Sequence, residues 1–229
     1  AQSVEITTIT SIKFTKSASD IPASPTKTFS IGASDNTGST AYTSSSNCSD
    51  VTAYLSGTQL VIYSPYTIYA PVDSSYLFNL AQSSNSSFTS LTSIVFSNFD
   101  TSNVTNMSYM FYFCNGIASL NVSSFDTSNV INMSNMFAGL TSLSMLDLSK
   151  FDTSKVVDMS YMFAFVGNKI WSDTGVGANL TVSNFNTSNV TNMSHMFAMA
   201  IKELNISNFD MTKVTNVEGM ISSGFLVLQ

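Results

Sequence analysis

The sequence predicts an α/β repeat solenoid: short strands and short helices stacked rung on rung, behind a β-rich N-terminal cap. Three observations predict it. Five segments of the chain align with one another without gaps. Each opens on an alternating apolar pattern and closes on apolar residues at helical spacing. The stretch from Ala1 to Gln59 lacks the repeat and is rich in Ser and Thr with short β-like runs.

The five segments are IVFSNFDTSNVTNMSYMF from Ile94, LNVSSFDTSNVINMSNMF from Leu120, LDLSKFDTSKVVDMSYMF from Leu146, LTVSNFNTSNVTNMSHMF from Leu180 and LNISNFDMTKVTNVEGMI from Leu204. The steps are even apart from the longer one between Leu146 and Leu180 and the slightly shorter last one. A degenerate copy lies upstream, where Val61-Ile62-Tyr63-Ser64 matches Ile94-Val95-Phe96-Ser97 and Ser75-Tyr76-Leu77-Phe78 matches Ser108-Tyr109-Met110-Phe111 in the same register. Residues 60–229 are therefore read as the array and 1–59 as the cap. The longest step places an insertion at 164–179. A small independent β-sandwich is the alternative reading of the cap.

Within a repeat, Leu120-Asn121-Val122-Ser123 has the two-residue period of a strand, with Leu120 and Val122 pointing in. Phe125-Asp126-Thr127-Ser128-Asn129 is dense in turn and capping residues. Val130, Met133, Met136 and Phe137 then fall at i, i+3, i+6 and i+7, which predicts about two turns of helix with one buried face. So short a helix is unstable alone and needs its neighbours. Stacked units would pair their strands about 4.8 Å apart and bury a continuous core. Phe99, Phe125, Phe151, Phe185 and Phe209 are expected to form a buried ladder. Asn103, Asn129 and Asn189 read as helix N-caps.

Composition excludes several classes. With no Arg and 8 Lys, the chain cannot neutralise many phosphates and is a poor nucleic-acid binder. A hydrophobic fraction of 44% excludes a disordered Ser/Thr tail. No apolar run approaches the roughly 18 residues of a membrane span. Ser, Thr and Asn make 88 of the 229 residues, and the net charge is -6. That profile, with Ala1-Gln2-Ser3 read as a mature N-terminus, points to a secreted or cell-surface protein. Two cysteines, Cys48 and Cys114, are too few for a disulfide framework. They leave open one bridge or a buried thiol at Cys114, which follows the apolar run Met110–Phe113.

The unit L-x-L-S-x-F-D-T-S-N-V-T-N-M-S-x-M-F resembles the repeat of BspA-like leucine-rich repeat proteins, found on the surfaces of Gram-positive bacteria and mycoplasmas. The stretches Val51–Thr58, Ile68–Pro71 and Ser74–Phe78 resemble that family's entry into its repeats. The resemblance implies a leucine-rich-repeat-like fold, exposure at the cell surface, and adhesion or recognition without a catalytic residue.

No catalytic set can be assembled. His195 is the single histidine, at a repeat position held by Tyr109, Asn135, Tyr161 and Gly219 in other copies, and reads as solvent-facing. Asp100, Asp126, Asp152 and Asp210 share one position, with Asn186 in the fourth copy. They read as acceptors for the N–H groups of their own turns; a Ca²⁺ ladder would need Gly-rich turns with several oxygen ligands per ion. No metal and no cofactor is expected.

Recognition is therefore sought among residues that vary while the framework holds. The strand face offers Asn121, Asp147, Thr181 and Asn205. The insertion offers Trp171. A third patch comprises Tyr109, Tyr161 and His195. The expected function is a non-enzymatic extracellular module that binds a protein or carbohydrate through its repeat surface. The alternative is a structural subunit that assembles head to tail, because Gly224–Gln229 resembles the strand of a further repeat.

Overall fold

The computed structural model describes residues 8–30, 42–43, 51–79, 90–167, 177–200 and 204–222. Its strands are β1 Ser11–Thr15, β2 Lys27–Ser30, β3 Tyr42–Thr43, β4 Thr52–Ser56, β5 Gln59–Tyr63, β6 Ile68–Tyr69, β7 Ser93–Phe96, β8 Met145–Asp147 and β9 Asn179–Thr181. A five-stranded sheet runs β2-β4-β5-β1-β7. The pairs β2–β4 and β4–β5 are antiparallel, and β1 lies parallel to both β5 and β7. Strand alternation sets which residues face in. In β4, Ala53 and Leu55 are buried between half-buried Thr52, Tyr54 and Ser56. Gly57, at φ +57°, makes the turn into β5.

β1 joins the N-terminal strands to the repeats. Phe14 lies opposite Ile62 on one side and Phe96 on the other. Its ring packs 5.9 Å from that of Phe96 and 4.6 Å from that of Phe99. One hydrophobic core therefore runs from Ile9 to Met220.

The predicted α/β solenoid with short helices is overturned. Among the described residues the helical piece is a three-residue 3₁₀ turn, Ala18–Asp20. The segments read as helices are chains of tight turns. Val130, Met133, Met136 and Phe137 are fully buried, as the spacing required. Their backbone, however, divides its hydrogen bonds. Met133, Asn135, Phe137 and Gly139 donate their N–H groups to the carbonyls of Asp158, Ser160, Met162 and Ala164 in the following repeat, at 2.8–3.0 Å. Met136, Ala138 and Leu140 donate three residues back, to Met133, Asn135 and Phe137. A helix would keep all these bonds within one segment. Here every second N–H leaves the segment, and Asn135 and Gly139 adopt positive φ, which no α-helix permits.

Bridges Asp73↔Asn106, Asn106↔Asn132, Asn132↔Asp158, Asp158↔Asn192 and Asn192↔Asn216, all parallel, stack the repeats as rungs. The strand face is paired more thinly than expected: β7 pairs with β1, β8 with β9, and no named strand covers 120–122.

The rungs are clamped by side chains as well. Thr153 Oγ1 donates to the Asn186 carbonyl at 3.0 Å and accepts the Asn186 N–H at 2.8 Å. Thr127 does the same with Asp152, and Thr187 with Asp210. These threonines are buried. Asn129 and Asn189 are not helix caps. Their Nδ2 groups reach back to the carbonyls of Ser102 and Ser154, and their Oδ1 atoms accept from Lys155 and Lys213 of the next rung.

The main aromatic ladder is Phe78–Phe111–Phe137–Phe163–Phe197, with ring centroids 5.2–5.9 Å apart and near-parallel planes. Phe99, Phe125, Phe151 and Phe185 are buried and Phe209 partly so. Phe151, Phe185 and Phe209 pack tilted against Phe137, Phe163 and Phe197.

Candidate functional site: an aromatic column at left-handed backbone positions

One repeat position has the same unusual backbone in every rung. Tyr76, Tyr109, Asn135, Tyr161, His195 and Gly219 all have φ between 55° and 59°. Side chains other than Gly and Asn seldom occupy this region, and each such residue costs about 1–2 kcal/mol and persists only where its surroundings hold it. The surroundings here are the rungs on either side. Tyr109 donates its N–H to Ser134, Asn135 to Ser160, Tyr161 to Ser194 and His195 to Glu218, at 2.8–2.9 Å. The repeated φ aligns the side chains, and their planes stack. The rings of Tyr76 and Tyr109 lie 4.5 Å apart at 6°, and those of Tyr161 and His195 4.5 Å apart at 2°. Asn135 stands between the two pairs.

A second column lies four residues on, at Phe113, Gly139, Phe165 and Met199, again with positive φ. Phe113 is 43% and Phe165 37% exposed. The Phe113 ring lies over Gly139, where a Cβ would come within 2.9 Å of it. Tyr112 bridges the columns edge-on, 5.1 Å from Tyr109 and 4.6 Å from Phe113. Burial, with Tyr76 alongside, raises the Tyr109 hydroxyl pKa; burial raises that of Tyr112. Both phenols stay neutral donors at ordinary pH.

Tyr109, Tyr161 and His195 are thus brought together in one column, but not on a helix face. His195 is half-buried rather than solvent-facing, with Nδ1 enclosed and without a partner among the described residues. Sequence reasoning missed Tyr76, Tyr112, Phe113 and Phe165. A signal was present: Asn135 and Gly219, two residue types at home at positive φ, share the register of Tyr109.

The strand-face candidates Asn121, Asp147, Thr181 and Asn205 are all exposed. Three of them are also tied down. Oδ1 of Asn121, Asp147 and Asn205 accepts the N–H two residues on, from Ser123, Ser149 and Ser207 at 2.9–3.0 Å. The Ser149 N–H, then its hydroxyl and the charge of Lys150, hold the Asp147 carboxyl below its ordinary pKa. The corner residues Asp100, Asp126, Asp152, Asn186 and Asp210 each make the same turn. No group of three His, Cys, Asp or Glu residues able to hold a metal ion occurs among the described residues.

Trp171, with the 168–176 part of the insertion, lies outside the described residues, as do Cys48 and the 224–229 strand invoked for head-to-tail assembly. Cys114 is a free, buried thiol. Its Sγ faces the Phe78 carbonyl at 3.4 Å, and burial pushes its pKa up to about 12. No helix among the described residues is long and apolar enough to cross a membrane.

Fold and site together define a class: a β-rung repeat protein whose stacked backbone displays planar side chains along one column. Residues 73–168 and 177–225 match the family model described as Mycoplasma protein of unknown function, DUF285, and the chain belongs to that family. No curated protein and no solved structure matches the chain. The finer likeness to BspA-like leucine-rich repeats is not confirmed by these comparisons.

Proposed function

We propose that the chain is a non-enzymatic recognition module of a cell surface, which binds an extracellular glycan or protein through the aromatic column. The observation that carries this reading is the run of planar side chains held at positive φ from Tyr76 to His195. Backbone strain repeated at one position, with rings partly open to solvent, marks a surface kept for contact rather than for packing. Stacked tyrosines present rigid ring edges and polar hydroxyl tips, suited to hydrogen bonding with sugar hydroxyls and to protein epitopes. The low charge, the Ser/Thr/Asn-rich composition and membership of a Mycoplasma family support a place outside the cell.

The test is a glycan and matrix-protein array probed with the native chain and with Tyr109→Asn/Tyr161→Asn/His195→Asn. Asn already occupies this backbone at position 135, so the variant keeps the rung and loses the rings. Binding that disappears in the variant at unchanged melting temperature supports the proposal. Binding that persists, and is lost instead on substituting Asp147 and Thr181, moves the site to the strand face.

A further inference from the structure

The junction between the N-terminal strands and the first clear repeat forms an open cleft of about 360 Å³. Lys16, Asn98, Asp100, Ser102, Ser124 and Asp126 contribute its polar lining. Asp100 and Asp126 hold the same position in adjacent rungs. One oxygen of each is engaged, Asp100 Oδ1 by the Ser102 N–H at 2.8 Å and Asp126 Oδ1 by the Ser128 N–H at 3.0 Å. Lys16, which follows β1, is steadied by the Thr67 hydroxyl at 3.1 Å.

Asn98 is the telling member. It is 4% exposed. Its Nδ2 donates to the carbonyls of Thr15, Ser64 and Tyr66, which fixes the amide's orientation. Its Oδ1 is buried with no partner among the described residues. A buried acceptor left unpaired costs about 1–3 kcal/mol, so such atoms normally meet a water or a ligand.

The geometry points to a binding site for a small neutral polyol of monosaccharide size. Acceptors outnumber charged donors: the lining carries two carboxylates and the unpaired Asn98 Oδ1 against one ammonium. A free anion would meet Asp100 and Asp126, and a free cation would meet Lys16. Hydroxyl groups satisfy both sets, because each donates to a carboxylate or to Asn98 and accepts from Lys16 or a serine. The volume, at the small end of the roughly 300–1,000 Å³ of ligand pockets, matches a single sugar ring. This reading does not rest on the aromatic column.

The experiment is a titration of the ¹⁵N-labelled chain with methyl glycosides of glucose, galactose, mannose and N-acetylglucosamine, with sodium phosphate and CaCl₂ run separately. The expected result is that at least one glycoside shifts the Asn98 side-chain amide and the backbone amides of Ser102 and Ser124, while neither salt does. Asp126→Asn should weaken that binding at least tenfold with the melting temperature unchanged, since Asn186 makes the same turn in a later rung. Lys16→Met should weaken it by a smaller factor. The inference is overturned if no glycoside moves these signals, if phosphate or Ca²⁺ moves them instead, or if Asp126→Asn binds as the native chain does. Shifts confined to the Tyr109 and Tyr161 region would overturn it while leaving the recognition proposal standing.

Discussion

The imidazole of His195 lies flat on the phenol of Tyr161, their centroids 4.5 Å apart and their planes within 2°. The two residues belong to successive rungs and are equivalent in the repeat. Beyond the imidazole, the next rung carries Gly219, where a Cβ would come within 2.7 Å of His195 Nε2. Gly219→Ala would therefore strain a backbone at φ +57° and push the ring off its seat. The expected loss is about 1–2 kcal/mol in chemical denaturation, from the left-handed conformation alone. The His195 ring signals should shift in the same variant. Unchanged stability together with unchanged ring signals would contradict the stacked geometry.

Buried threonines act as rung clamps, so Thr153→Val removes one donor and one acceptor at once and strands the Asn186 backbone groups. The expected cost is about 1–3 kcal/mol, measured from the denaturant midpoint. Thr153→Ser keeps the hydroxyl and should recover most of the loss. Equal destabilisation by Val and Ser would mean that the methyl group, not the clamp, matters.

Phe163 stacks between Phe137 at 5.9 Å and Phe197 at 5.5 Å, with no exposed surface. Phe163→Ala should cost about 3–5 kcal/mol. Phe165→Ala, two residues on at a partly exposed ring, should cost well under half as much. Comparable losses at both sites would show that the column four residues beyond Tyr161 belongs to the core rather than to the surface.

Acid should loosen the rungs. The carboxyls of Asp147, Asp152 and Asp210 are held below their ordinary value of 3.8, chiefly by hydrogen bonds from Ser149, Ser154 and Thr212. A depressed pKa in the folded state means stability that is present above the unfolded value and is lost as pH falls through the folded one. Melting temperature should thus hold from neutrality down to about pH 4 and fall below it. Asp152→Asn keeps an acceptor for the turn, as Asn186 does, and should flatten part of the acid limb. A melting temperature that declines between about pH 7 and pH 5 would place the responsible group elsewhere.

The register of the rungs was legible in the sequence because framework residues recur in step. The bridging residues Asn106, Asn132, Asp158, Asn192 and Asn216 follow one another at the same intervals as Ile94, Leu120, Leu146, Leu180 and Leu204, which open the aligned segments. The inward faces of Leu120, Val122, Val130, Met133, Met136 and Phe137 were legible for the same reason. The helix was a misreading because i, i+3, i+6, i+7 also describes consecutive tight turns, in which every third or fourth side chain returns to one side. The decision between them lies in where the N–H groups go. Periodicity is silent on that, whereas Asn135, Gly139 and Gly219 speak to it by favouring positive φ. The clamping threonines escaped notice because Thr127 and Thr153 look like ordinary turn residues until the neighbouring rung supplies their partners. In the same way, a variable position counted as solvent-facing proved to be a stacked column once successive copies lay on one another.

The most direct measurement is a through-hydrogen-bond correlation experiment linking the Phe137 amide to its acceptor carbonyl. A stacked β-rung predicts a correlation from the Phe137 N–H to the Met162 carbonyl, in the next repeat. The companion correlation should run from the Tyr109 N–H to the Ser134 carbonyl. A correlation from Phe137 to the carbonyl of Met133, four residues back, would restore the helix and contradict the rung architecture on which the aromatic column depends.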